Sequence, residues 1–170
     1  ETKPQQIDVA HKFAGPIALP PVDADGVVYL ESGTTYLAER REFPGTLRIT
    51  CEAAPAASIV VPIGTQWVLQ GRTLELHGIT VAQQSGKVTD EETNRPSMTH
   101  LLAVQSGAMT IDECVIQSPV AEDSFVGIAW HRLSGTEGSV FIRNSVFAGG
   151  GYAASFNHPP RRCELDNVLL

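Results

Sequence analysis

Short runs in which apolar and polar residues alternate recur along most of this chain. Four of them align: Leu76-His-Gly-Ile-Thr-Val81, Ile111-Asp-Glu-Cys-Val-Ile116, Ile142-Arg-Asn-Ser-Val-Phe147 and Leu165-Asp-Asn-Val-Leu-Leu170. Each is preceded by a second alternating pair, Leu74-x-Leu76, Met109-x-Ile111, Val140-x-Ile142 and Cys163-x-Leu165, and Leu47-Arg-Ile49 is an earlier, looser copy. The aliphatic anchors at 49, 76, 111, 142 and 165 are separated by 27, 35, 31 and 23 residues. This spacing lies in the range of repeat architectures, although it is irregular. Period-two alternation over four to six positions is a strand signal, and no long stretch shows the 3.6-residue period of a helix.

Two short strands are expected to meet at Gly78, Glu113, Asn144 and Asn167. Glycine and asparagine enter the left-handed backbone region at least cost, so three of these positions suit a sharp bend and Glu113 fits poorly. A further strand precedes each pair: Trp67-Val-Leu69, Leu102-Ala-Val104, Ile128-Ala-Trp130 and Ala154-Ser-Phe156. A unit of three short strands cannot bury its apolar face alone, and stacking copies buries a continuous core. The expected fold is all-β, a right-handed single-stranded parallel β-helix of about five three-strand coils over residues 27–170. A sandwich would want hairpin turns such as Asn-Gly, and no Asn-Gly pair occurs. Residues 1–26, with Pro16, Pro20, Pro21 and Asp23-Ala-Asp-Gly26, read as an extended lead-in that caps the first coil. Gln83–Ser97 is the main polar insertion between coils.

The run Val28-Tyr-Leu30-Glu-Ser-Gly33-Thr-Thr-Tyr36, followed by Leu47-Arg-Ile-Thr50 and Ser58-Ile-Val-Val61, resembles the opening coil of bacterial pectin-lyase-like β-helix proteins. The resemblance covers about residues 27–170 and implies the fold; the superfamily includes lyases, hydrolases, epimerases, tailspikes and adhesins. It implies an extracytoplasmic or cell-surface setting. In sugar-active members the face of the first strand commonly holds the substrate.

Strand alternation assigns directions to side chains. On the first strand Trp67, Leu69, Leu102, Val104, Ile128, Trp130, Ala154 and Phe156 should point inward, leaving Val68, Ala103, Ala129 and Ser155 as an outward track of small residues. One step further along, Gln70, Gln105, His131 and Asn157 form a second outward row, with Glu31 a candidate member in the first coil. The bland reading, which the sequence favours, has these amides and imidazole bonding to one another along the stack. The functional reading has them binding a polysaccharide or peptide strand. On the second strand the outward row is Glu75, Thr110, Phe141 and Glu164; on the third it is Thr80, Val115, Val146 and Leu169. An apolar outward row calls for cover, which the insertion or the lead-in would supply, or for a partner.

Charge narrows the field. A net charge of -7 and only 12 Lys and Arg, paired at Arg40-Arg41 and Arg161-Arg162, argue against nucleic acid as a partner. No apolar run approaches the about 18 residues that span a bilayer, so no membrane insertion is expected within this segment. The chain starts at Glu1 without an initiating Met or an apolar signal region, which suggests a processed or excised piece of something longer, and the resemblance implies a bacterial protein.

Candidate chemistry is sparse. A glycoside hydrolase needs two carboxylates flanking one bond; the acidic pairs Asp23/Asp25, Glu91/Glu92, Asp112/Glu113 and Glu122/Asp123 fall in expected turns or loops, off the first-strand face. The Asn-Thr-Asp, Asp-Asp and Gly-His-Gly strings of polygalacturonase-like relatives do not occur. Arg132 beside His131 is the nearest candidate base for a lyase, without the acidic cluster that would hold calcium. Of His77, His100, His131 and His158, only His131 and His158 are expected to lie close together, which lacks a third metal ligand. Cys51, Cys114 and Cys163 all take inward positions, where free cysteine acts as a small hydrophobe. No catalytic residue, metal or cofactor is therefore assigned. The leading expectation is a non-catalytic β-helix module serving as a scaffold or a binding surface for a polysaccharide or protein, with end-to-end or side-to-side self-association open to it. The alternatives are a fragment of a carbohydrate-active enzyme that binds polysaccharide on the first-strand face, and a structural spacer in a surface or signalling protein.

Overall fold

A computed structural model describes residues 15–84, 99–117, 125–149 and 151–170. Among them there are fourteen strands and no helix. In chain order they are β1 (Ile17–Ala18), β2 (Val27–Tyr29), β3 (Thr35–Leu37), β4 (Arg41–Thr50), β5 (Ala57–Val61), β6 (Trp67–His77) and β7 (Ile79–Gln83). They continue as β8 (Thr99–Ser106), β9 (Ala108–Asp112), β10 (Val115–Gln117), β11 (Phe125–Arg132), β12 (Ser139–Ala148), β13 (Tyr152–Phe156) and β14 (Arg162–Leu169). All belong to one hydrogen-bonded network that does not close on itself, and every pairing in it is parallel.

The pairings fall into three ladders. The first runs from β4 through β6, β8 and β11 to β13. The second joins β2, β4, β6, β9, β12 and β14, and the third joins β1, β3, β5, β7, β10, β12 and β14. Strands such as β6 and β12 serve two ladders because the backbone turns a corner without losing its extended pairing. The anchor residues align as their spacing predicts: Ile49 opposes Leu76, then Ile111, Ile142 and Leu165. So do Trp67, Leu102, Ile128 and Ala154 on the first ladder.

The bends explain the sequence at one corner. Gly78, Glu113, Asn144 and Asn167 all have positive φ, at 66°, 54°, 47° and 51°. A Cβ on Gly78 would come within 2.1 Å of the Cys51 carbonyl oxygen, so glycine is required there for space as well as conformation. Glu113, the poor fit on propensity, adopts the same conformation as its neighbours. Its strands are locked in register above and below, and that pairing outweighs a local cost of about 1–2 kcal/mol. The asparagines add a side-chain ladder: Asn167 Nδ2 donates to Asn144 Oδ1 at 2.9 Å, and Asn144 Nδ2 to Asp112 Oδ1 at 3.0 Å. Inside the same corner, buried Ser145 accepts from the Cys114 amide at 3.1 Å and donates to the Arg143 carbonyl at 2.6 Å.

The core draws on all three ladders and is filled by Leu47, Ile49, Ile59, Trp67, Leu69, Leu74, Leu76, Leu102, Ile111, Ile128 and Trp130, all essentially inaccessible. Its two ends differ. At the N-terminal end β1 adds an outer rung to the third ladder, and the chain then places Leu19 and Val22 against the core. Asp23 fastens the following turn by accepting from the amides of Asp25 and Val27 at 2.9 and 2.7 Å. Arg41 stands opposite Leu69, in an inward position, and its Nη2 donates to the Leu19 carbonyl at 2.9 Å while pairing with Glu39. A cation is tolerable there because its head sits at the rim among carbonyl oxygens.

At the C-terminal rung the inward register persists without burial. Phe156 and Leu165 are 38% and 58% exposed. Cys163 corrects the expectation of three core cysteines: it stands opposite buried Val140 yet is exposed, because no described strand stacks beyond β14. Cys51 and Cys114 are buried as expected.

Candidate functional site

The outward row of the first ladder is built by register. Gln70 opposes Gln105 and Gln105 opposes His131. Asn157 follows Phe156, which opposes Trp130, and so stands next in line. Strands in a ladder are about 4.8 Å apart, so the row offers one polar side chain per rung at that spacing. Glu31 is not a member: it lies in the turn after β2, where its amide donates to the Tyr36 hydroxyl at 3.0 Å. Glu42 takes that place, opposite Gln70, and is paired with Arg40. The sequence held little warning of this, because the inward position beside Glu42 is filled by charged Arg41 and the apolar alternation is broken there.

Gln105, His131 and Asn157 are exposed and Gln70 is half-buried. Asn157 is committed to the fold, since its Oδ1 accepts from the Arg132 amide at 3.0 Å and its own amide donates to the Trp130 carbonyl at 3.2 Å. Among the described residues, no side-chain hydrogen bond joins Gln70, Gln105 and His131 to one another. The mutual amide bonding expected of this row occurs instead at the Asn144–Asn167 corner. There the side chains leave a bend at the same angle on successive rungs, which brings amide to amide.

Beside the row runs the small-residue track, with Val68, Ala103, Ala129 and Ser155 in register. Ala129 departs from the outward expectation in being only 3% exposed, a short methyl between Ala103 and Ser155 on the adjoining strands. At the start of β8, His100 is held below the ordinary histidine range, first by burial and then by the charge of His131.

The other candidates disperse. Asp112 accepts from Asn144 and faces Arg143 at 3.5 Å, while Glu113 lies 4.0 Å from His77. Among the described residues no group of three His, Cys, Asp or Glu side chains is arranged to hold a metal ion. Glu91/Glu92, Glu122/Asp123 and nearly all of the Gln83–Ser97 insertion lie outside the described residues. The second-ladder row of Glu75, Thr110, Phe141 and Glu164 is in register, with Glu75 bound to Arg48 at 2.7 Å. That carboxylate raises the Arg48 pKa through the hydrogen bond and the ion pair. The third-ladder row also aligns, with Thr80, Val115 and Val146 half-buried and Leu169 exposed. No helix is long and apolar enough to cross a membrane among the described residues. No protein-family model matches the chain, and no curated protein or solved structure shows significant similarity to it.

Proposed function

We propose that the three parallel ladders are those of a right-handed single-stranded β-helix related to the pectin-lyase-like proteins, and that this module is non-catalytic, a binding surface for an extended ligand. The ligand lies on the first ladder, along Gln70, Gln105, His131 and Asn157 and over the track of Val68, Ala103, Ala129 and Ser155. Polysaccharide is the favoured class, since evenly spaced amide and imidazole groups offer both donors and acceptors to hydroxyls. The observation that carries this reading is the row itself: Gln70, Gln105 and His131 stand in register on successive strands without hydrogen-bonding one another among the described residues. Glu42 is the acidic member of the row, and its pairing with Arg40 speaks for binding rather than acid–base work. An extracytoplasmic or cell-surface setting accords with such a ligand.

A glycan array probed with the wild-type chain and with the Gln105→Ala/His131→Ala double variant tests the proposal. Binding by the wild type that the variant loses is the expected result. Equal binding by both, or binding by neither, removes this face as the site and leaves a scaffold.

A further inference from the structure

A recess lies on the second ladder and its adjoining corner, and none of the row just described lines it. Its volume is about 550 Å³, within the range of small-molecule sites. Gly107 and Gly138 are among its lining residues, and neither has room for a side chain. A Cβ on Gly107 would meet Thr136 at 2.8 Å, and one on Gly138 would meet Arg132 and Trp130 at 2.8 Å. Ser139 and Phe141 line the recess beside these two glycines.

Arg161 and Arg162 also line the recess. The Arg162 guanidinium lies over the Phe141 ring, 5.2 Å from its centroid, and Arg162 Nε bonds Glu164 at 2.7 Å. Stacking on the ring orients this guanidinium, and its ion pair with Glu164 is an exposed one. Arg161 is anchored through its backbone, donating to the Gly138 carbonyl at 2.9 Å, and its side chain pairs with Glu137, which also lines the recess. Both carboxylate and guanidinium of that pair are largely exposed, so the bond is weak and exchangeable. A third arginine side chain, that of Arg132, packs at Gly138.

We infer that this recess binds a small ring-bearing organic carboxylate, whose carboxylate takes the place of Glu137 on Arg161 and is shared with Arg162 while its ring lies against Phe141 and the glycine backbone. Two neighbouring guanidiniums match a carboxylate's oxygens geometrically, and an adjacent aromatic ring favours a ligand with an apolar planar body. Glu137 is then an internal competitor, a resident carboxylate that the ligand must displace.

Ligand-observed NMR titration of the full chain with benzoate, benzamide and acetate is the test. Benzoate should bind saturably, with benzamide and acetate each weaker by about tenfold, the loss expected for one charged hydrogen bond or one ring contact. Arg161→Gln and Arg162→Gln should each weaken benzoate by about the same factor, and Glu137→Gln should tighten it several-fold. All three side chains are exposed, and circular dichroism checks that the variants keep the fold. Equal affinity for benzoate and benzamide, absence of saturable binding, or a Glu137→Gln variant that binds no tighter would overturn the assignment. The result is independent of the glycan-array outcome, because Gln105→Ala/His131→Ala alters a different face and should leave benzoate binding unchanged.

Discussion

Asn167 donates its side-chain amide to Asn144 across adjacent strands at 2.9 Å, and both residues hold left-handed backbone conformations at φ of 51° and 47°. One residue type thus meets two demands at this corner. It bends the chain cheaply and bonds the rung next to it.

Asn144 is the centre of this arrangement, bonded on one side to Asn167 and on the other to Asp112. Asn144→Ala should lower the stability by about 1–2 kcal/mol, combining left-handed strain with the loss of exposed hydrogen bonds. Glu113 occupies the equivalent bend without such bonds to its neighbours among the described residues, so Glu113→Asn should raise stability, by up to about 1 kcal/mol. Urea denaturation of the two variants should move the midpoint in opposite directions.

Gly78 has no tolerance for a side chain. Gly78→Ala must accommodate both a φ of 66° and a Cβ 2.1 Å from the Cys51 carbonyl oxygen. A loss of about 3 kcal/mol or more is expected, since local strain alone is worth 1–3 kcal/mol and the backbone contact adds to it. A thermal melt that matches the wild type would show that this corner yields more easily than its packing indicates.

The cysteines should separate by reactivity. Cys163 is exposed, whereas Cys51 and Cys114 are buried, so a thiol reagent at pH 8 should label one residue rapidly and the other two only after unfolding. Burial pushes the Cys114 thiol up to about 11, against hydrogen bonds that pull the other way. A thiol whose folded pKa is raised favours the folded state fully below its unfolded pKa, near 8.5–9. It loses that contribution as pH rises towards about 11, on the order of 2–3 kcal/mol in all. Stability measured between pH 8 and 11 should fall less steeply in Cys114→Ala than in the wild type.

Ser106 accepts a hydrogen bond from the Trp130 indole at 2.9 Å, and both are fully buried. Ser106→Ala strands that N–H in the core, at a cost of about 1–3 kcal/mol. Guanidinium denaturation followed by tryptophan fluorescence would measure it.

The proposed binding row makes the opposite prediction. Gln105 and His131 are exposed, so Gln105→Ala/His131→Ala should change stability by no more than about 1 kcal/mol. Matched denaturation curves would ensure that a lost glycan signal reports on the surface.

The alternation of apolar residues was enough to identify the rungs. Ile49, Leu76, Ile111, Ile142 and Leu165 oppose one another as their pattern indicates, because a period of two leaves each strand one face to bury and a one-residue slip would expose it. The same logic placed Gln70, Gln105 and His131 in one row. What stacks on each rung is a long-range matter, decided only by the assembled ladders. Cys114 and Cys163 carry the same inward signal and differ in burial, since among the described residues a rung covers β10 on either side and β14 on one alone. Glu113 bends like asparagine because its paired strands leave it no other path, and Glu42 replaces Glu31 because Arg41 hides the strand that carries it. Local pattern thus determined which way each side chain faces. The tertiary structure determined what it faces, because burial and hydrogen bonding in stacked strands depend on residues some thirty positions away.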